Sequence, residues 1–188
     1  MRKFYIISND FRNSVIQLTS NKLYSEIEPY LDQYSTKKLP TDATFSVVKG
    51  KKWADLLYYY EAASIVFFSK KVIDILSAVI DMEGLCYPIK IEAENAPQYF
   101  FIYNKVAYKL VNTNYMLDDF GEPPYIYIPQ EELANHKLFT HINGICNIVA
   151  EDIMQEMKKS KVTNIRFREI YAIDSREYEE LICRHNQH

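Results

Sequence analysis

Apolar and polar positions alternate with two different periods along this chain, and residues 65–91 show both in one continuous unit. Ile65, Val66, Phe67 and Phe68 form a short β-favouring run. Ser69 follows where a helix N-cap belongs, with a hydroxyl able to accept from the first free backbone N–H groups. Val72, Ile75, Leu76 and Val79 then recur at i, i+3, i+4 and i+7, which predicts a helix with one buried stripe. Gly84 supplies the permissive backbone of a helix end or turn. Residues 87–91 return as a strand, and Pro88 suits an edge strand or a strand's first residue.

The same patterns organise the rest of the chain. Residues 4–7 predict a first strand, ended by the turn formers Ser8, Asn9 and Asp10. Residues 11–40, interrupted by Pro29 and Pro40, read as turns and short strands. Residues 45–48 are again of β type, and 53–57 read as a short helical or turn segment leading to Tyr58, Tyr59 and Tyr60. Residues 98–110 predict a strand or a hairpin bent at Asn104 and Lys105. A turn-rich loop at 118–124 precedes an alternating strand at 125–128, stopped by Pro129.

Near the C-terminus the opening pattern is echoed. An apolar run at 145–149 leads to a helix through about 159, and 162–173 return as a strand with Ile165, Phe167 and Glu169 on one face. Laying Phe67 and Phe68 on Ile148 and Val149 puts Val72 on Ile153 and Leu76 on Met157. Duplication and the common look of strand–helix–strand units are both open readings. A short surface helix at 176–183 and a frayed tail complete the chain. The expected fold is α+β: a mixed or mainly antiparallel sheet, two principal helices after Ser69 and Val149, and a strand–helix–strand pseudo-repeat. A length of 188 residues fits one domain, with candidate halves 1–91 and 92–188.

Composition narrows the class. The chain is 48% hydrophobic and 25% charged, which argues against disorder. Its 16 tyrosines and ten phenylalanines favour a β-rich core or an adhesive surface. Four glycines disfavour folds built on repeated Gly-rich loops. Cys86, Cys146 and Cys183 are odd in number and widely spaced, which fits a reducing compartment. The apolar run at the N-terminus is too short for a signal h-region, and no stretch has transmembrane length, so the protein reads as cytoplasmic.

Charge is unevenly distributed. Residues 1–60 carry nine Lys/Arg against six Asp/Glu, whereas 92–135 carry two against seven, a balance of −5. The acidic segment also contains Tyr99, Tyr103, Tyr108, Tyr115, Tyr125 and Tyr127. It reads either as a solvated face beside a β core or as an acidic, aromatic docking face for a basic protein. The candidate partner-binding residues are Asp118, Asp119, Glu122, Tyr125 and Tyr127.

Catalytic and metal patterns are weak by comparison. His136 and His141 have the wrong spacing for one helical face, and His185 and His188 lie in the tail, so no metal or other cofactor is expected. Cys86 at a strand start and Cys146 in an apolar run fit small buried hydrophobes better than nucleophiles. No G-x-S-x-G elbow, P-loop or Rossmann fingerprint is present. The basic residues Lys49, Lys51, Lys52, Lys158, Lys159, Lys161, Arg166 and Arg168 would have to carry nucleic-acid binding. Glu151, Asp152, Glu156 and Glu169 offset the second group, so no nucleic-acid partner is expected.

The ordered segments KGKKWADLL, IVFFSKKVIDIL, CYPIKI, HKLFTHINGICNIVAEDIMQEM and TNIRFREI resemble a bacterial superfamily of polymorphic-toxin immunity proteins. That superfamily carries a K-G-x-x-W-x-D tract and a strand ending in F-F-S before an amphipathic helix. A later L-F and a second apolar-then-helix segment close on a strand. The likeness spans about residues 44–173. Where many relatives have Arg after L-F and Gly in the last turn, this chain has Thr140 and Asn164. The resemblance implies a non-enzymatic cytoplasmic protein that binds and blocks one cognate toxin. The alternatives are a small-molecule or carbohydrate-binding domain using the tyrosine-rich strands and, behind it, an undetected hydrolase.

Overall fold

Neighbouring residues on the central strands face different cores, and that alternation builds the molecule. The computed structural model describes residues 2–10, 12–31, 35–103, 105–110, 125–127, 137–141, 147–173, 176–177 and 180. Its elements in order are β1 (Arg2–Asn9), β2 (Gln17–Ser20), α1 (Tyr24–Leu31), β3 (Phe45–Lys49), β4 (Leu56–Tyr59), β5 (Ala62–Ser69), α2 (Lys70–Ser77), β6 (Cys86–Ile89), β7 (Tyr99–Ile102), β8 (Ala107–Leu110), β9 (Tyr125–Tyr127), β10 (Leu138–His141), β11 (Asn147–Ala150), α3 (Glu151–Lys159) and β12 (Ile165–Ile173). The fold is α+β and mainly antiparallel.

Six strands close into a barrel in the order β1-β11-β10-β8-β9-β12, with β8/β10 and β9/β12 as its parallel pairs. The other six form a sheet, β3-β2-β4-β5-β7-β6, in which β2/β4 is parallel. This sheet curls until its ends meet. The N–H of Phe45 in β3 donates to the carbonyl of Lys90 (2.8 Å), and the N–H of Glu92 donates back to Phe45 (2.7 Å). Candidate halves at 91/92 do not follow this division, because β1 belongs with the C-terminal strands and β7 with the earlier ones.

Period-2 alternation sorts the side chains. Phe4 and Ile6 enter the barrel with Phe139, Ile148 and Ile170. Leu57, Tyr59, Ile65 and Phe67 enter the curled sheet with Phe45, Phe101 and the α1 residues Ile27 and Leu31. Their neighbours Tyr5, Ile7, Leu56, Tyr58, Val66 and Phe68 point the other way, into a middle core shared by both sheets. Helices α2 and α3 fill the rest of that core with Val72, Ile73, Leu76, Ile153, Met154 and Met157.

The two strand–helix–strand units have the same topology. In each, the strand after the helix lies parallel to the strand before it, with one antiparallel strand between: β7 in the first unit and β1 in the second. Paired positions of the sequence echo are also buried alike, Val72 with Ile153 and Leu76 with Met157. This is a correspondence of topology and burial, and such units can reach it by packing alone.

Several local expectations are corrected. Residues 24–31 form α1 despite Pro29, because the Glu26 carboxylate accepts from the Leu23 N–H at the helix start (2.9 Å) and Ile27 and Leu31 are buried. Residues 53–55 are irregular and β4 begins at Leu56. Residues 98–110 are not a hairpin: β7 lies in the curled sheet and β8 in the barrel, so the segment between them crosses from one to the other. Helix α2 ends at Ser77, which leaves Val72, Ile73 and Leu76 as its buried stripe and Val79 44% exposed.

Candidate functional site

Because α2 stops after two turns, an apolar floor stays open between it and α3. The groove has a volume of about 870 Å³. Ile75, Ala78 and Val79 line it from α2 and the following turn, and Ile153 lines it from α3. Its rim is charged, with Lys70, Lys71 and Asp74 on one wall and Asp152 and Glu156, beside the neutral Ser160, on the other.

The rim charges have local partners. Lys70 pairs with Asp74 one turn on (2.6 Å), Asp152 with Lys137 (2.7 Å) and Glu156 with Lys159 (3.3 Å). Burial works against the charged form of Asp152, yet the Lys137 ammonium and the Ile153 N–H hold its carboxyl below the ordinary value. Exposed pairs of this kind contribute little stability, so an incoming chain can exchange them for its own charges at small cost.

The helices that form the walls are tied together by Asp55. Ser69 has the extended backbone of an N-cap but makes no side-chain cap. Its hydroxyl donates instead to Asp55 (2.8 Å), while the Ser69 N–H donates to the Asp55 carbonyl (2.8 Å). Lys71 reaches the same carboxylate (3.4 Å) and the carbonyl of Lys161 beyond α3 (3.2 Å). Thr163 adds its N–H (2.8 Å) and hydroxyl (2.9 Å). Burial opposes the Asp55 charge, but the Thr163 and Ser69 donors together with Lys71 hold its carboxyl below the usual range. One carboxylate thus fixes the start of α2 against the end of α3.

The K-G-x-x-W-x-D tract is explained by this frame. Gly50 has φ +87°, and a Cβ there would lie 2.2 Å from the Val15 carbonyl oxygen. Trp53 packs on Tyr99 with ring centroids 5.8 Å apart, and the Tyr99 hydroxyl donates to the Ala54 carbonyl (2.6 Å). Asn164 takes a left-handed conformation (φ 57°) that Asn tolerates, and its amide donates to the Leu56 carbonyl (2.8 Å). The motif residues build the scaffold.

No protein-family model and no curated protein matches this chain.

The sequence-predicted site residues are placed differently. Asp118, Asp119 and Glu122 lie outside the described residues. Tyr125 and Tyr127 are on β9, between β8 and β12, opposite Tyr171 and Ile173. Tyr99, Tyr103 and Tyr108, for which both a β-rich core and an acidic docking face were open, are buried at 2%, 4% and 6% exposure. Tyr99 and Tyr103 lie in the core that the curled sheet encloses, and Tyr108 lies inside the barrel.

The other candidates also have local explanations. Cys86 is half-buried, its thiol donates to the Met82 carbonyl (3.8 Å), and burial pushes it up in pKa, which disfavours the thiolate. Cys146, Cys183, His136, His185 and His188 lie outside the described residues. Among the described residues no group of three or more His, Cys, Asp or Glu is placed to hold a metal ion, and no helix is long and apolar enough to cross a membrane. Arg166 pairs with Asp10, and Lys158 sits over the Phe167 ring at 5.7 Å.

Periodicity pointed to a different α2. Val79 fits the helical stripe by spacing, and its exposure follows from the chain leaving the helix at Ala78, which spacing does not encode. The charged positions Lys70, Asp74, Asp152 and Glu156 carried one legible signal, their recurrence at i, i+4 on the two helices.

Proposed function

We propose that this protein binds another protein and blocks it, as an immunity protein neutralises its cognate toxin in the cytoplasm of the producing cell. The observation that carries this reading is the α2–α3 groove: an open apolar floor with charges of both signs on its rim, mounted on two helices locked by one carboxylate. Such a surface suits docking by complementarity, with apolar anchors in the floor and charge at the rim setting register and encounter. The resemblance in sequence adds to this, since its motif residue Asp55 is the one that ties the start of α2 to the end of α3. Asp118, Asp119 and Glu122 are assigned to the same partner as an acidic contact, which suits a basic toxin domain such as a nuclease.

The alternative of a carbohydrate or small-molecule site rested on the tyrosine-rich strands. Burial of Tyr99, Tyr103 and Tyr108 removes three of its ring surfaces.

The test is a pull-down with tagged protein from the native bacterium, read by mass spectrometry. It is followed by co-expression with the recovered partner. A stoichiometric partner with a toxin-like C-terminal domain, whose lethality this chain suppresses, supports the reading. Undiminished lethality on co-expression overturns it.

A further inference from the structure

Among the described residues, the seam of the curled sheet is joined only at one end. Phe45 at the start of β3 exchanges hydrogen bonds with Lys90 and Glu92, but the chain then turns away through Asn95, which has φ 56°. Beyond Phe45, β3 pairs on one side with β2, and among the described residues no strand lies on the other. Alternation along a strand puts the Val47 N–H and C=O on the same open side as those of Phe45. Val47 and Val48 are 37% and 46% exposed, in a fold that buries most of its large apolar residues. Immediately beyond them, Lys49, Lys51 and Lys52 are exposed, and among the described residues none of them is in an ion pair.

We infer that the open edge of β3 is a strand-addition site for an extended, acidic segment of a partner protein. Backbone groups of the incoming strand continue the ladder from the Phe45 end, and its apolar side chains cover Val47 and Val48. Its carboxylates meet Lys49, Lys51 and Lys52. The same lysines select against a second copy of this chain, because pairing two β3 edges brings two lysine clusters together. The inference rests on the sheet edge and stands apart from the groove and the function proposed for it.

Selection of short random peptides displayed against the full-length protein tests it, with amide chemical shifts of the complexes locating the bound peptide. Enriched peptides are expected to be acidic with alternating β-branched residues, and to shift the amides of Ser46, Val47, Val48 and Lys49. Two variants are then compared with the parent: Val47→Pro, which removes the outward N–H, and the triple variant Lys49→Glu, Lys51→Glu, Lys52→Glu, which leaves the ladder intact. Each should weaken binding by roughly tenfold or more, and the triple variant decides the matter if Val47→Pro does not fold. Four outcomes overturn the proposal: failure to enrich any peptide, binders without acidic bias, shifts confined to the α2–α3 groove, or displacement of the peptides by single-stranded oligothymidylate.

Discussion

Asp55 and Thr163 hold each other across 108 positions of sequence: the carboxylate accepts from the Thr163 N–H at 2.8 Å, and the Asp55 N–H donates to the Thr163 hydroxyl at 2.9 Å. The pair joins the segment before β4 to the turn after α3, and Ser69 brings the start of α2 to the same point. Asp55→Ala leaves the buried Ser69 hydroxyl and the exposed Thr163 N–H without this acceptor and is expected to cost about 1–3 kcal/mol. Urea unfolding at neutral pH measures it. The Asp55 carboxyl is held below its ordinary value in the fold, so its stabilisation is present above the unfolded pKa of about 3.9 and is lost as pH falls through the folded value. The difference between parent and Asp55→Asn should therefore be full at neutral pH and shrink below about pH 4.

Two glycines with positive φ separate conformational cost from steric cost. Gly50→Ala must adopt φ +87° with a Cβ driven into the Val15 backbone, whereas Gly84→Ala at φ +71° meets nothing within 4 Å. The second should cost about 1–2 kcal/mol, the ordinary penalty for a left-handed residue. The first should cost clearly more, which at about 2–4 °C per kcal/mol separates the two in thermal unfolding. Equal melting temperatures would contradict the close approach of Gly50 to Val15.

Alkaline stability should be set by the buried tyrosines. Burial, with Glu61 adding to it, pushes the Tyr59 hydroxyl up to about 12, and burial also raises Tyr87 and Tyr99. A raised folded pKa means stabilisation that is complete below the unfolded value of about 10 and lost as pH rises toward the folded one. Unfolding followed by near-ultraviolet absorbance should set in between about pH 10 and 12, coincident with ionisation of the last tyrosines. Tyr59→Phe should shift that transition to higher pH.

Substitutions in the groove should separate binding from folding. Val79 is exposed, so Val79→Asp is expected to change stability by no more than about 0.5 kcal/mol while weakening the partner complex. Ile153 is 1% exposed, and Ile153→Ala should cost about 2–5 kcal/mol of stability. A Val79→Asp protein that protects cells against the partner as well as the parent does would remove the groove from the interface.

Neutralising Asp118, Asp119 and Glu122 together should slow association with a basic partner and flatten its dependence on salt, leaving dissociation nearly unchanged. Surface plasmon resonance across a range of ionic strength reads both rates. Unaltered association would sink the acidic contact without touching the groove.

Alternation and helical spacing were enough to place β1, β3, β5, α2, β9, α3 and β12, because each of these elements buries one face at a fixed local period. Spacing also matched Val72 to Ile153 and Leu76 to Met157, which the fold buries in one shared core. Local pattern could not choose between cores. Whether Tyr5 or Phe4 faces the barrel, and that Tyr99, Tyr103 and Tyr108 are interior, depends on which sheet covers each strand. Helix α1 was hidden by Pro29, since a capping carboxylate and burial of Ile27 and Leu31 outweigh a local propensity. The sequence by itself determined those seven elements and the tract around Gly50, Trp53 and Asp55. Only the tertiary structure decided the barrel, the seam at β3 and the α2–α3 groove, because each is made by contacts between residues far apart in the chain.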